Sequence, residues 1–502
     1  MNKNDNYNKI APFLLIAALA LYLAFCVDLT VESLRRPAFF AFILVMAILA
    51  FVFRKSISAD LIIWTMVGGA LVKASYIIYT AVWTRQHDVI SFGAGEGHAA
   101  YIEYILQYKS LPDFDPRLVW GFFQPPLHHF LAAVWMWINI RLKIAERQLQ
   151  ESVQVLTLSY MCILMVMIYF ICKELYMKNR GMLITMLIVS FHPIFILLSG
   201  SINNDALSIM FMAVSLYIAI RWYKNPGFIG IILLALSIGL GMATKLSAGL
   251  VAPGIGVMML YKLWEDRKHF KKYILEFIAF AIVVFPIGLW WTIRNMVRFD
   301  MPINYIPEVG EQLTHSNLFS RVFDIRMSSV YAELIANGSE YDEYNVFLAM
   351  IKTSLFGEDN FGLISGKIQP FAILLFVSFV LIILLELVAF IRIVFVKEAG
   401  PKLEYKILLG ISAVVIFAGY LSFALSYNNF SAQDFRYAAL NCAIMAIFLG
   451  LWDDRLELIT KVKGTDSKKI SRISILRNCI LGLALLFAFS SVAVYILVGM
   501  YC

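Results

Sequence analysis

Charge is scarce in this chain. Only 15% of its 502 residues are Asp, Glu, Lys or Arg, and 61% are hydrophobic. A soluble domain sits nearer one quarter charged and one half apolar. The mean hydropathy of +0.77 points the same way. Cysteine is sparse too. Cys26, Cys162, Cys172, Cys442, Cys479 and Cys502 fall mainly inside or beside apolar runs, with no metal spacing and no disulfide framework. Gly/Ser linkers, low-complexity tracts and clear internal repeats are missing, so nothing marks off a separate soluble domain. The opening MNKNDNYNK runs into an apolar stretch without a small-residue cleavage site, which reads as a retained first span rather than a removed signal. The net charge of +8 is scattered in short stretches between apolar runs. That pattern suits cytoplasmic loops and argues against a nucleic-acid partner.

What is present is a series of apolar runs of about 20 residues, the length that crosses a bilayer core. Backbone groups in lipid must pair internally, so such runs form helices. The expected fold is an all-α polytopic membrane protein, one integral membrane domain over 1–502, with about thirteen transmembrane helices. The runs lie near 11–28, 37–53, 60–83, 152–174, 180–199, 204–222, 228–243, 246–263, 272–292, 370–396, 404–425, 435–452 and 475–499. Basic loops, from Arg54–Lys55 to the KVKGTDSKKISR stretch, place the N-terminus inside and the C-terminus outside. Arg35–Arg36 is the exception. The segment 125–142 reads as interfacial rather than spanning. It opens with Pro125–Pro126 and carries Trp135, Trp137 and Arg141, which suit the headgroup level. The stretch 293–369 reads as an external loop or small lid element.

The long polar island is 84–151, expected to be an external catalytic loop with interfacial helices. It gathers His87, His98, His128 and His129, with Asp88, Glu96, Glu103, Asp113 and Asp115. Under the same topology Asn203, Asn204, Asp205, Lys245, Arg294, Lys352, Glu358, Asp434 and Arg436 all fall on that external side. Charges at span ends are costly unless they are partnered, solvated or used. A set of carboxylates and cations on one membrane face suits chemistry on an anionic lipid head. Each residue also has a plainer reading. Asp88 is a loop charge, and Glu96 an acid at a helix N-terminus. His98 and Tyr101, three apart, share a helix face. Asn204 and Asp205 suit a helix cap. Lys245 can snorkel, and Arg436 can pair with Asp434.

GHAAYIEYILQYKSLPDFDPRLVWGFFQPPLHHFLAA resembles the first external loop of bacterial glycosyltransferases with the type C fold. These are relatives of dolichyl-phosphate-mannose–protein mannosyltransferases and lipid A aminoarabinose transferases. FHPIFILLSGSINNDAL, GLGMATKLSAGLVAP, GLWWTIRN, KTSLFGE and DFRYAA extend the likeness over roughly 85–440. The resemblance implies a multispan enzyme that takes sugar from a polyprenyl-phosphate-linked donor on the external face, usually with inversion. It also implies an acid in the first external loop as base. Where the usual loop reads Asp-Glu, this chain has Gly97–His98, so the base is Asp88 or Glu96. Lys245, Arg294 and Arg436 are the candidates for the lipid phosphate. His87, His98, Tyr101, His128, Asn204 and Asp205 are candidates for positioning substrate, and the set leaves room for a divalent cation. Membrane lipids and an acceptor glycan, lipid or protein complete the expected partners, in a bacterial cell membrane. The rival readings are a lipid or sugar transporter, whose ionisable groups tend to sit at the midplane of two related halves, and a lipid-linked glycan polymerase or ligase.

Overall fold

The structure, a computed structural model, describes residues 32–57, 61–84, 89–303, 305–307, 317–325, 343–357, 366–395, 401–429, 431–462 and 466–501. The described chain is built from helices. In order they are α1 Glu32–Ile57, α2 Leu61–Tyr79, α3 Gly97–Tyr108, α4 Leu127–Arg141, α5 Glu146–Glu174, α6 Asn179–Phe191, α7 Pro193–Gly200, α8 Asp205–Lys224 and α9 Phe228–Thr244. There follow α10 Ala252–Glu265, α11 Phe270–Phe299, α12 Leu318–Phe323, α13 Val346–Phe356, α14 Gln369–Phe395, α15 Leu403–Ser426, α16 Leu440–Thr460 and α17 Ser467–Tyr501. Among the described residues 8 helices are long and apolar enough to cross a membrane, or up to 10 if each bent pair is one span. The multispan helical fold read from the apolar runs is borne out; the figure of thirteen is not reached on these residues. The first expected run, 11–28, lies outside them, the second falls in α1, and α9 is 17 residues long.

Two of the expected spans are bent, for identifiable reasons. The run 180–199 breaks by 43° between α6 and α7. Pro193 stands in the first turn of α7 and has no N–H to continue the ladder, while His192 Nδ1 accepts the Ile194 N–H at 3.3 Å. The run 435–452 bends by 45° where a 3-10 turn, Phe435–Ala438, meets α16. Asp434 accepts the Arg436 N–H at 2.8 Å and caps that turn. A third element overshoots. The ninth run was expected to end near 292, yet α11 continues to Phe299 and stops where Asp300 turns left-handed at φ 53. A helix satisfies its own backbone in water as well as in lipid, so leaving the apolar stretch need not end it.

Helix contacts are close where side chains vanish. Gly181 and Gly450 face each other at the crossing of α6 and α16, and a Cβ on either would run into the other's carbonyl oxygen. Arg35, the exception to the charge bias, is buried and pairs with Glu151 at 2.5 Å, tying α1 to α5. Its job is an internal tie, which explains a cation away from the basic loops. Among the described residues the apolar core forms two clusters. The larger runs through the long helices. The smaller gathers Ala99, Tyr101, Ile102 and Ile105 of α3 with Ala132, Ala133 and Met136 of α4, Val153 of α5, Ile202 and Trp291 of α11. The polar island therefore builds a core of its own and seats it on the ends of longer helices.

Candidate active site

The platform begins with a close backbone approach. Gly97 N donates to Trp120 O at 2.8 Å. Gly97 and Gly121 both stand at positive φ, 81° and 86°, and a Cβ on Gly121 would lie 2.9 Å from the Gly97 carbonyl carbon. Glycine at these two positions lets the loop before α4 lie against the start of α3. Ala99 N donates to Val89 O at 3.1 Å, and Gly93 N donates to the Glu103 carboxylate at 2.9 Å. The stretch from Val89 is thereby folded back over the first turn of α3.

On this platform the aromatic rings stack. Tyr101 lies between His129, at 4.2 Å between centroids, and Phe122, at 4.5 Å. His98 Nδ1 and His129 Nε2 share one hydrogen bond of 2.7 Å. His128 Nε2 donates to Ile202 O, also at 2.7 Å. All three histidines and Tyr101 are buried. Burial pushes the His128 imidazole down to about 4, with the Ile202 carbonyl and Asp205 opposing the shift. It holds His129 well below the usual range, and the neighbouring His98 and His128 add to that. Burial also raises the Tyr101 phenol, against the pull of Arg294. Both imidazoles of α4 are thus held neutral at pH 7. The two adjacent histidines face different ways. Each has its own partner, His129 towards α3 and His128 towards the turn that leads into Asp205.

That turn carries the ionic centre. Asn203 Oδ1 accepts the Asp205 N–H at 3.1 Å and shapes the start of α8. Asn204 Nδ2 donates to Thr244 O at 2.9 Å and to Gln124 Oε1 at 3.3 Å, joining α8, the end of α9 and the loop before α4. Lys245 Nζ donates to Asp205 Oδ1 at 2.5 Å. Arg436 Nε lies 3.5 Å from Asp205 Oδ2 and 3.9 Å from Asp434 Oδ2. Tyr437 lies under both cations, 4.7 Å from Lys245 Nζ and 5.1 Å from the Arg436 guanidinium carbon, and its hydroxyl bonds Arg436 at 3.0 Å. Two carboxylates and two cations balance, which is what lets such a group sit buried. Lys245 is the most open member, with 15% of its side chain exposed against 5% for Asp205 and 4% for Arg436.

The remaining candidates separate. Asn204, Asp205, Lys245 and Arg436 meet in one centre, while His98, Tyr101 and His128 meet in the ring stack beside it. Arg294 takes other partners. It donates to Pro112 O at 2.5 Å and Asn295 Oδ1 at 2.7 Å, lies 4.6 Å over the Trp291 ring, and is 3.9 Å from Asp113. Glu96 is exposed, and although it occupies the residue before α3 its side chain makes no cap hydrogen bond. His87, Asp88 and Glu358 lie outside the described residues. Among the described residues no group of three or more His, Cys, Asp or Glu side chains is arranged to hold a metal ion.

Sequence reasoning passed over Gln124, Tyr437, Arg298, which pairs with Asp113 beside Arg294, and Glu343, the partner of Lys352. Tyr437 follows Arg436 directly, and an aromatic beside a guanidinium is a readable stacking signal. Gln124 precedes Pro125, which marks it only as a turn residue. Lys352 reaches Glu343 at 2.9 Å with both side chains 3% exposed. The neighbouring Thr353 Oγ1 accepts the Phe435 N–H at 3.0 Å, so α13 braces the turn that carries Arg436.

Known proteins share this architecture. The family model described as dolichyl-phosphate-mannose-protein mannosyltransferase matches residues 124–291. That stretch contains Asn204, Asp205 and Lys245 and ends before Arg294. No curated protein matches the chain by sequence. The archaeal oligosaccharyltransferase AglB from Archaeoglobus fulgidus, solved with an inhibitory peptide and a dolichol-phosphate, aligns with a TM-score of 0.50 at 14% identity. The alignment covers 88% of this chain and 55% of that one. ArnT from Cupriavidus metallidurans, bound to undecaprenyl phosphate, aligns with a TM-score of 0.49 at 13% identity, over 88% of this chain and 77% of that one. At such identities the structural likeness is one of fold. Together with the family match, the likeness in fold to AglB bears out the resemblance read from the polar island and its supporting stretches.

Proposed function

We propose that this chain is a membrane glycosyltransferase that moves a sugar from a polyprenyl-phosphate-linked donor to an acceptor hydroxyl on the external face of a bacterial cell membrane. The observation that carries the reading is the convergence of Lys245 and Arg436 on Asp205, beside the platform built by 89–142. The match of 124–291 to the mannosyltransferase family supports it. A donor of this class already leaves as a phosphate anion, so its departure needs positive charge more than a proton. Fixed cations at a developing charge are often the largest catalytic contribution. Arg436 is held by Tyr437 and supplies a fixed guanidinium. Lys245 is paired with Asp205 when the site is empty and turns to the phosphate when it arrives, while Arg436 compensates the released carboxylate. Arg294, at the rim with Asp113, guides the headgroup.

The acceptor hydroxyl needs a base on the opposite face of the sugar, and Asp88 or Glu96 supplies it. A carboxylate within hydrogen-bond reach contributes about 10²–10⁴-fold. One displacement inverts the anomeric carbon. The decisive experiment reconstitutes the full chain in proteoliposomes with a panel of polyprenyl-phosphate sugars and follows new glycosidic bonds by mass spectrometry. Asp88→Asn is expected to abolish transfer with insertion intact. Full activity in Asp88→Asn, with loss in Glu96→Gln, moves the base to Glu96. Passage of lipid or sugar across the bilayer with no new bond formed overturns the proposal.

A further inference from the structure

The helices that hold the histidines at their N-terminal ends form a second feature towards their C-terminal ends. Between α3 and α4 lies a groove of about 440 Å³, a volume within the small-ligand range of about 300–1,000 Å³. It shares no residue with the ionic centre around Asp205. Its walls are mostly apolar, including Leu106, Phe130, Val134 and Trp137, and Lys109 and Arg141 stand in it. Among the described residues no carboxylate lines it. Phe130 is 48% exposed and Trp137 45%, so the apolar wall opens outward. Arg141 stacks on Trp137, its guanidinium carbon 5.2 Å from the ring centre.

Both cations stand at the ends of their helices. Lys109 closes α3 in the left-handed region at φ 54, a place where glycine is the easier choice. Keeping a lysine there places an ammonium at the mouth of the groove. An open apolar wall, a tryptophan–arginine stack and positive charge alone are the features of a surface that meets lipid headgroups.

We propose that this groove binds an anionic phospholipid of the surrounding bilayer. Its acyl chain lies along Phe130, Val134 and Trp137, and its phosphate sits between Lys109 and Arg141. The binding is distinct from the donor reading above, because the donor phosphate belongs with Lys245 and Arg436. Occupancy ties α3 to α4 at one end and steadies the His98–His129 contact at the other.

The test uses the full chain in vesicles of equal parts phosphatidylcholine and phosphatidylglycerol, and native mass spectrometry of the lipids that stay bound on release. Retention of phosphatidylglycerol is expected to exceed that of phosphatidylcholine by about thirty-fold, the factor two surface cations contribute. Lys109→Gln with Arg141→Gln is expected to bring the ratio close to one. Both side chains are exposed, so the fold is retained. Val134→Trp fills the groove from its open side and is expected to expel the lipid with both charges in place. Equal retention of the two lipids, or an unchanged ratio in the double variant, overturns the proposal. So does displacement by inorganic phosphate alone, or retention of a polyprenyl phosphate in preference to phosphatidylglycerol. None of these readings uses sugar transfer, so they stand apart from the fate of the enzymatic proposal.

Discussion

Two ionic clusters flank the helix α16, and they use the same residue types differently. At its far end Arg477 grips Asp453 with two hydrogen bonds of 3.1 and 2.9 Å and reaches Glu457 at 3.1 Å. Arg180 lies 3.5 Å from the same Asp453, and Lys178 3.3 Å from Glu457. This is a fork-on-fork clip that stitches α6, α16 and α17 together. Before its near end, roughly 20 Å away at 1.5 Å per residue, Arg436 meets Asp205 through Nε at 3.5 Å, and Lys245 takes the other carboxylate oxygen. One cluster spends its donors on a fixed partner. The other shares one carboxylate between two cations from separate elements, one of them partly open to solvent. The first geometry resists change, whereas the second, on the proposed function, exchanges a carboxylate for the donor phosphate.

Removing one arginine at a time separates the two clusters. Arg436→Ala is expected to lower transfer by about 10²–10³-fold, the loss seen when one preorganised charge-stabilising donor is removed. Arg477→Ala is expected to leave turnover per folded molecule unchanged. Single-turnover assays on reconstituted protein, corrected for folded fraction, separate the two. Equal losses in both variants would mean that the two clusters serve the reaction alike.

Stability should show the reverse order. Removing Arg477 leaves Asp453, fully buried, without its main partner. Breaking a buried pair costs about 3–5 kcal/mol, and slight exposure of Arg477 favours the lower figure, about 3 kcal/mol. Thermal unfolding of the purified chain measures it. An unaltered melting temperature would show that Arg180 and Lys178 hold the clip unaided.

Much of this was readable from residue order, for physical reasons. Apolar runs of bilayer length must become helices, so the spans were legible. The gathering of Asn204, Asp205, Lys245 and Arg436 was legible because span ends on one side of a membrane are neighbours whatever the helix packing. What stayed hidden depends on packing itself. Asp434, two residues from Arg436, looked like its natural partner, yet the nearer carboxylate is Asp205, from another helix. Arg294 looked like a third cation of the centre, but the overshoot of α11 carries it to Pro112 and Asp113. Glu96 looked like a helix cap, and its exposed side chain takes no such bond. The break at His192–Pro193 had a signal in the proline; the close approach of Gly97 to Gly121 had none, because long-range contact gives glycine no local pattern.

The ring stack gives a pH test of smaller size. The His128 pKa falls from an ordinary 6.5 to about 4 because it is buried. Between those values the unfolded chain binds the proton and the folded chain does not, so stability declines as pH drops below 6.5 and the loss is complete below about 4. At pH 5.5 the expected loss is about 1 kcal/mol. Chemical unfolding at a series of pH values reads the slope, and His128→Gln should lessen it by that share, with buried His129 keeping a slope of the same sign. A slope unchanged in that variant assigns the titration to other groups.

Asn204 offers the finest cut between holding a site together and working in it. Its amide bonds the Thr244 carbonyl, one of the orphan acceptors at the end of α9, and also bonds Gln124. Asn204→Ala leaves that carbonyl without its buried donor, at a cost of about 1 kcal/mol. The lysine that follows Thr244 then loses some of its fixed position, so transfer is expected to fall about tenfold through weaker donor binding, with KM raised more than kcat is lowered. A purely structural asparagine would lower the melting temperature and leave KM alone. One that touches the sugar would lower kcat with little change in stability. The ratio of those two effects, set beside the unchanged turnover expected of Arg477→Ala, measures how far the looser cluster is built for exchange rather than for hold.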